Sequence, residues 1–165
     1  MASMSINPLL EAMTELKVAH EDLLNIANKK TKVLIDGEME TLQKLLVDER
    51  KAIKVLEKAE RKRQHEAALY QQAHHLTDEE MNVSALLETL SDETVQSKLE
   101  EQAVALIELV TALKRVEDTN KSLLEQSMQF VQFSIDLMSP SLNKLNYGKE
   151  KQPQREARST FDSKA

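Results

Sequence analysis

From Leu9 onward the apolar residues fall on an alternating four-then-three spacing. Leu9, Met13, Leu16, Leu23, Ala27 and Leu34 keep it, and His20 and Lys30 stand in the remaining slots. That spacing gathers them on one helical face. Asn7-Pro8 opens the helix. Asn offers a side-chain oxygen to free N–H groups, and Pro at the first helical position has no N–H to satisfy. Asp36-Gly37 closes it, since Gly enters the left-handed conformation of a helix end at no steric cost. The predicted helix covers about 8–36.

A second helix, about 38–75, carries Met39, Leu42, Leu46, Ile53 and Leu56 on the same repeat, with Leu45, Ala52 and Ala59 beside it. So short a break between two such helices predicts an antiparallel hairpin. Beyond Ala59 the stripe weakens into Glu60-Arg61-Lys62-Arg63-Gln64-His65-Glu66, which predicts a half-helix in solvent or against a partner. Thr77-Asp78-Glu79-Glu80 reads as a capping box, with Thr77 and Glu80 satisfying each other's free N–H groups. It predicts a short helix over about 78–90 carrying Val83, Leu86, Leu87 and Leu90. Ser91 then reads as a cap, and Asp92 and Glu93 suit the positive end of the next helix.

The third long helix, about 92–138, has the cleanest repeat: Val95, Leu99, Leu106, Leu109, Leu113, Val116, Leu123, Phe130 and Leu137. Gln102, Asn120, Ser127 and Ser134 interrupt it. Asn120 either fixes helix register or marks a bend or exposed turn; the pattern leaves both open. Ser139-Pro140 is expected to stop the helix, leaving 139–165 as a flexible basic tail.

Composition removes the competing fold classes. Between Gly37 and Pro140 there is no Gly or Pro, whereas strands need turns every ~8–12 residues. The predicted fold is all-α: an elongated antiparallel helical hairpin plus a third long helix. It is a three-helix coiled-coil bundle in a single domain over 7–138. Aromatics make up only 3% of the chain, which suits a thin core.

Net charge is −6, which argues against generic binding to nucleic-acid phosphates. The balance is uneven, because residues 139–165 carry six Lys or Arg against three Asp or Glu. There is no cysteine, so disulfide and cysteine–metal frameworks are excluded. No apolar run approaches the ~18 residues of a membrane span. Stable membrane insertion is therefore not expected, and the chain reads as cytoplasmic.

The chain lacks the motifs of an active site. There is no Gly-rich phosphate loop, no His-Glu-x-x-His and no cysteine nucleophile. A di-iron bundle needs Glu three residues before His, yet His20, His65, His74 and His75 are preceded at that spacing by Lys17, Lys62, Gln71 and Gln72. No metal or cofactor is implied. His74-His75 project ~100° apart on a helix and read as helix-end histidines. Lys51, Lys54, Lys58, Arg61 and Lys62 share one side of the second helix. Glu57, Glu60 and Glu66 interleave them, so the reading is a solvated, salt-bridged face.

The candidate binding surface is the end of the third helix. Leu123, Leu124, Met128, Phe130, Val131, Phe133, Ile135, Leu137 and Met138 point in most directions around it. Only one of those faces can pack on the hairpin. Four of the five aromatics (Phe130, Phe133, Tyr147 and Phe161) lie at or beyond residue 130. Apolar surface of this kind marks a protein-interaction site, and Met and Phe suit one that adapts to its partner.

The same region carries a family likeness. Asn120-Lys121-Ser122-Leu123-Leu124-Glu125, the apolar helix end, and Leu145-Asn146-Tyr147-Gly148 resemble the C-terminal half of FlgN-type flagellar export chaperones. Leu23-Leu24 through Lys29-Lys30, Asp36-Gly37, Leu42 to Leu46 with Glu49, and the basic stretch after Leu56 extend the likeness over roughly 8–148. The resemblance implies a cytoplasmic chaperone of the hook–filament junction proteins FlgK and FlgL, delivering them to the export apparatus. It implies that the apolar residues from Leu123 to Met138 receive a client helix. Tyr147 and Gly148 would dock on the export gate. Lys149-Glu150-Lys151 follows where the family often has another Gly. The competing reading is a homo-oligomeric coiled-coil scaffold, in which a second copy, as in a homodimer, covers residues 123–138.

Overall fold

The computed structural model describes the backbone of residues 4–145 and the side chains of residues 4–138. Among the described residues all regular structure is helical: α1 Asn7–Asp36, α2 Met39–Ala73, α3 Val83–Thr89 and α4 Glu93–Leu145. A single 3-10 turn, Asp78–Glu80, lies between α2 and α3. The all-α class is the one the spacing predicts. The chain forms two compact units, Met1–Leu123 and Leu124–Ala165.

In the first unit α1 and α2 form the expected hairpin. Gly37 turns the chain with φ 71°, and its N–H bonds the Val33 carbonyl. The Glu38 N–H reaches the same carbonyl at 3.2 Å, the six-to-one bond that closes a helix end. Side chains then pair across the hairpin in antiparallel order. Lys30 meets Glu49, Lys62 meets Glu15 at 2.6 Å, and His74 Nε2–H donates to the Met4 carbonyl at 2.9 Å. The first part of α4 runs parallel to α1. Gln102 Nε2 donates to Thr14 Oγ1 at 3.0 Å, and Asn120 Nδ2 donates to the Ala27 carbonyl at 3.0 Å.

The main core joins Ile6, Leu9, Leu10 and Met13 to Tyr70, Leu86, Leu99 and Ala103. Leu99 is 1% exposed, and removing such a leucine from water contributes about 2 kcal/mol. A second cluster, Leu16, Ala19 and Ala59, continues along the hairpin. Two expectations for α2 are corrected here. Its inner seam runs through Leu45 and Ala59, while Met39 and Ile53 of the expected stripe are exposed. The small Ala59 lets the backbones of α1 and α2 approach where a leucine would hold them apart. The half-helix beyond Ala59 is not free either, because Tyr70, 4% exposed, lies in the main core.

Helix ends differ in detail from the expected ones. Ile6 occupies the cap of α1 without a side-chain bond, and Ser5 Oγ accepts the Asn7 N–H at 3.1 Å. Asn7 is thus the first helical residue, since a serine two positions earlier already serves the free donor. Thr77 Oγ1 accepts the Glu80 N–H at 3.3 Å, but the Glu80 carboxylate takes the Thr77 hydroxyl rather than its N–H. This box closes only the 3-10 turn. Helix α3 starts later, where Asn82 Oδ1 accepts the Ala85 N–H at 2.9 Å. Asp92, not Ser91, caps α4 by accepting the Thr94 N–H at 2.9 Å, because a carboxylate is the stronger acceptor at a positive helix end.

Helix α4 also continues through Ser139-Pro140 to Leu145, past the expected stop. Proline's fixed φ is itself helical, and its cost is one donor and crowding of the preceding turn. Of the expected flexible tail, 139–145 are therefore helical and 146–165 lie outside the described residues.

Candidate partner-binding surface

Three polar clusters set the geometry of the first unit. Lys30, at 11% side-chain exposure, reaches Glu49 on α2 and Glu117 on α4, the latter at 3.2 Å. Burial pushes its pKa down, but the two carboxylates outweigh burial and leave it above the ordinary lysine value. Asn120 is 3% exposed and clamps α4 onto α1 through Ala27 and through Thr31 Oγ1, 2.5 Å from its Oδ1. The Thr31 hydroxyl also lies 3.1 Å from the Ala27 carbonyl. It has one proton, and two oxygens 2.5 Å apart need a proton between them, so that proton goes to Asn120 Oδ1. Asn120 is therefore buried against α1 and not part of an exposed turn. Glu60 lies against Arg63, with oxygens 2.6 and 2.8 Å from the guanidinium. The Arg63 hydrogen bonds hold its carboxyl below the usual range against the opposing effect of burial.

Above α1 an open cleft of about 730 Å³ separates α2 from α4. Met13 and Leu16 floor it, Leu56 and Ala67 form one wall, and Leu106 and Val110 the other. The sequence reading misses this cleft, because it depends on how far α2 and α4 are splayed. Its polar groups are already committed: Glu60 to Arg63, and the His20 Nδ1–H to the Leu16 carbonyl at 3.0 Å. What it offers is apolar contact.

The residues selected from sequence behave differently. Leu123, at the end of the first unit, is half-buried. In the second unit Leu124, Met128, Phe130, Val131, Phe133, Ile135, Leu137 and Met138 are all exposed, Phe130 the most at 70%. At ~100° per residue they resolve into two stripes rather than a uniform coat. Leu124, Met128, Val131, Ile135 and Met138 recur at four-then-three spacing on one side. Phe130, Phe133 and Leu137 form a shorter stripe on the opposite side. Ser127 and Ser134 line one gap between them, and Glu125, Gln129, Gln132 and Asp136 the other. Polar atoms in these gaps are turned back onto the helix. Ser134 Oγ donates to the Phe130 carbonyl at 3.0 Å, and Gln132 Nε2 to Asp136 Oδ1 at 3.1 Å. Each stripe has the form that a partner helix reads through i, i+3 and i+4 anchors. Tyr147 and Gly148, the expected gate-docking pair, lie outside the described residues.

Among the described residues no group of three or more His, Asp or Glu is placed to hold a metal ion, and no helix is long and apolar enough to cross a membrane. His74 stacks against Tyr70 with ring centroids 4.1 Å apart. His75 takes a left-handed backbone, φ 53°. Both histidines belong to the end of α2.

Comparison with known proteins places this arrangement. The family model described as FlgN protein matches residues 1–155. The uncharacterized protein YvyG of Bacillus subtilis (strain 168) is 28% identical over 165 positions, covering 98% of this chain and 100% of that protein. No solved structure matches the chain.

Proposed function

Since the chain belongs to the FlgN protein family of flagellar export chaperones, we propose that it is a cytoplasmic chaperone of the hook–filament junction proteins FlgK and FlgL. The family is non-enzymatic in general. In this reading the chain captures the terminal helical segments of its clients and hands them to the flagellar type III export apparatus.

The observation that carries the proposal is the exposed double stripe of α4. Client ends that assemble by packing helices together are apolar on one face and aggregate when left uncovered. A stripe running from Leu124 to Met138 presents such a helix with a matching apolar line about 20 Å long at 1.5 Å per residue. Phe130, Phe133 and Leu137 supply a second line, for another client helix or for the far side of the same segment. Because the client orders only on binding, the cost of that ordering keeps the affinity moderate. Release then needs no chemical step in the chaperone. Tyr147 and Gly148, by their likeness to the family's Tyr-Gly pair, dock on the export gate.

The test is capture of purified C-terminal fragments of FlgK and FlgL by the full chain and by a Phe130→Asp, Ile135→Asp variant. The expected result is a one-to-one complex with the parent and loss of capture in the variant. Undiminished capture by the variant would move the client site elsewhere. A stable homo-oligomer indifferent to either fragment would favour a scaffold.

A further inference from the structure

The outer face of α2 carries a feature that the client-binding proposal does not use. Val47, Lys51, Lys54, Lys58, Arg61 and His65 follow one another at spacings of four, three, four, three and four, and every one is exposed. They form a straight line on the side of α2 opposite the inner residues Leu45, Ala59 and Tyr70. The sequence reading expects the lysines here to be neutralised by interleaved glutamates. Of those three glutamates Glu60 is committed elsewhere, while Glu57 and Glu66 stay on the flanks of the row. Glu60 turns to Arg63, Glu49 to Lys30, and Lys62 leaves the row to pair with Glu15. Lys51, Lys54, Lys58 and Arg61 have no ion pair or side-chain hydrogen bond among the described residues. The carboxylates that remain, Asp48, Glu57 and Glu66, fall along the two edges of the row, ~80–100° around the helix from its centre.

We propose that this row is a docking seam for an acidic α-helix of a partner protein, one carrying Glu or Asp at the same four-then-three spacing. Three properties select that partner. The sign is cationic on a chain of net charge −6, so the row is a local reversal of the protein's field and attracts a local anion. The spacing is that of a coiled-coil seam, along which a second helix stays in contact over its length. The width is that of one helix. A duplex or a flat anionic bilayer is broad enough to bring its charge against Asp48, Glu57 and Glu66, whereas a helix lies between those edges. Four cations over Lys51–Arg61 span about 15 Å, roughly three helical turns. Val47 supplies an apolar contact at one end.

The experiment uses the full chain and a synthetic alanine-based helix of about 20 residues, long enough to be helical in water, with its glutamates in one four-then-three row. A control peptide has the same composition with the glutamates scattered around the helix. Binding is followed by amide shifts of the nitrogen-labelled chain and by titration calorimetry. The expected result is shift changes confined to residues 47–65, affinity at least about tenfold above that of the scattered peptide, and weakening as salt passes ~0.15 M. Lys54→Glu with Lys58→Glu abolishes binding, and Lys54→Gln with Lys58→Gln reduces it. Lys114→Glu with Lys121→Glu, the same charge change on α4, leaves it unaltered. Equal binding of the two peptides, equal loss in the α2 and α4 variants, shifts mapping elsewhere, or no binding would overturn the proposal. So would tighter binding of the row to phosphatidylserine vesicles or single-stranded DNA. Client capture by the α2 variants is expected to be normal, which separates this seam from the α4 stripes.

Discussion

The Asn120 side chain of α4 and the Thr31 hydroxyl of α1 share a hydrogen bond of 2.5 Å in the interior of the first unit. With Asn120 also donating to Ala27, one amide uses both its ends on a single turn of α1. Sliding α4 by one turn would strand both groups away from water, at about 1–3 kcal/mol for each unsatisfied group. The lock therefore works by making other registers costly. Asn120→Ala and Thr31→Ala are each expected to lower stability by about 1–3 kcal/mol in denaturant unfolding. The double variant should lose less than the two added together, because the partners are coupled. Full additivity would mean that the two side chains act independently.

Lys30 tests the same interface by charge. Lys30→Met leaves Glu49 and Glu117 facing each other without a cation. The expected loss is about 1–3 kcal/mol, below the range for fully buried pairs because Glu117 is 38% exposed. The sign of the pH effect follows from the raised pKa. A folded-state lysine held above 10.5 contributes stability that is intact below that pH and lost as pH rises through the folded value. The parent should show this alkaline loss and Lys30→Met should lack it. Matching alkaline limbs would remove the triad as its cause.

Glu60 gives the complementary acid limb. Its carboxyl is held low by Arg63, so its contribution is present above the ordinary carboxylate pKa and disappears as pH falls through the folded value. Glu60→Gln should flatten part of the stability loss between about pH 5 and pH 3. An unchanged acid limb would show that other carboxylates dominate it.

Tyr70 anchors the start of α1 to the end of α2. Tyr70→Ala opens a cavity among Leu9, Leu10, Met13 and Leu99, with an expected cost of about 3–5 kcal/mol. Leu69→Ala, one position away and 36% exposed, should cost clearly less, about 1 kcal/mol. Comparable losses would place the wrong face of α2 in the core.

For the α4 surface, Phe130→Asp is expected to weaken client capture at least tenfold while leaving the unfolding midpoint of the chain unchanged. A residue 70% exposed contributes little to the folded state. Lys62→Glu, which breaks only the exposed Glu15 pair, should leave capture intact. A drop in thermal stability with Phe130→Asp would mean that the residue packs within the chain.

Much of the candidate surface was legible before the structure. Phe130, Val131, Phe133 and Ile135 stand out because one helix cannot turn so many apolar residues toward one neighbour. The division into two stripes is implicit in their spacing. Tyr70 was not legible, because seven charged or polar residues, Glu60 to Glu66, cut it off from the α2 stripe, and it becomes core only when the hairpin register sets it with Leu9. The row on α2 was legible as a solvated face, but not as one whose central cations lack ion pairs. Glu60 looks available to the lysines until the fold commits it to Arg63.

Hydrophobic periodicity and the long stretch free of Gly and Pro were sufficient to establish helices, their approximate limits and the hairpin turn at Gly37. Those are properties of neighbouring residues, and local chemistry decides them. Pairing between helices decided the rest: which polar residues become buried locks, which cations keep no partner, and which flank of α2 faces inward. Such outcomes depend on side chains separated by up to 93 positions meeting at one level of the bundle. Helical repeats alone are compatible with several registers of that meeting.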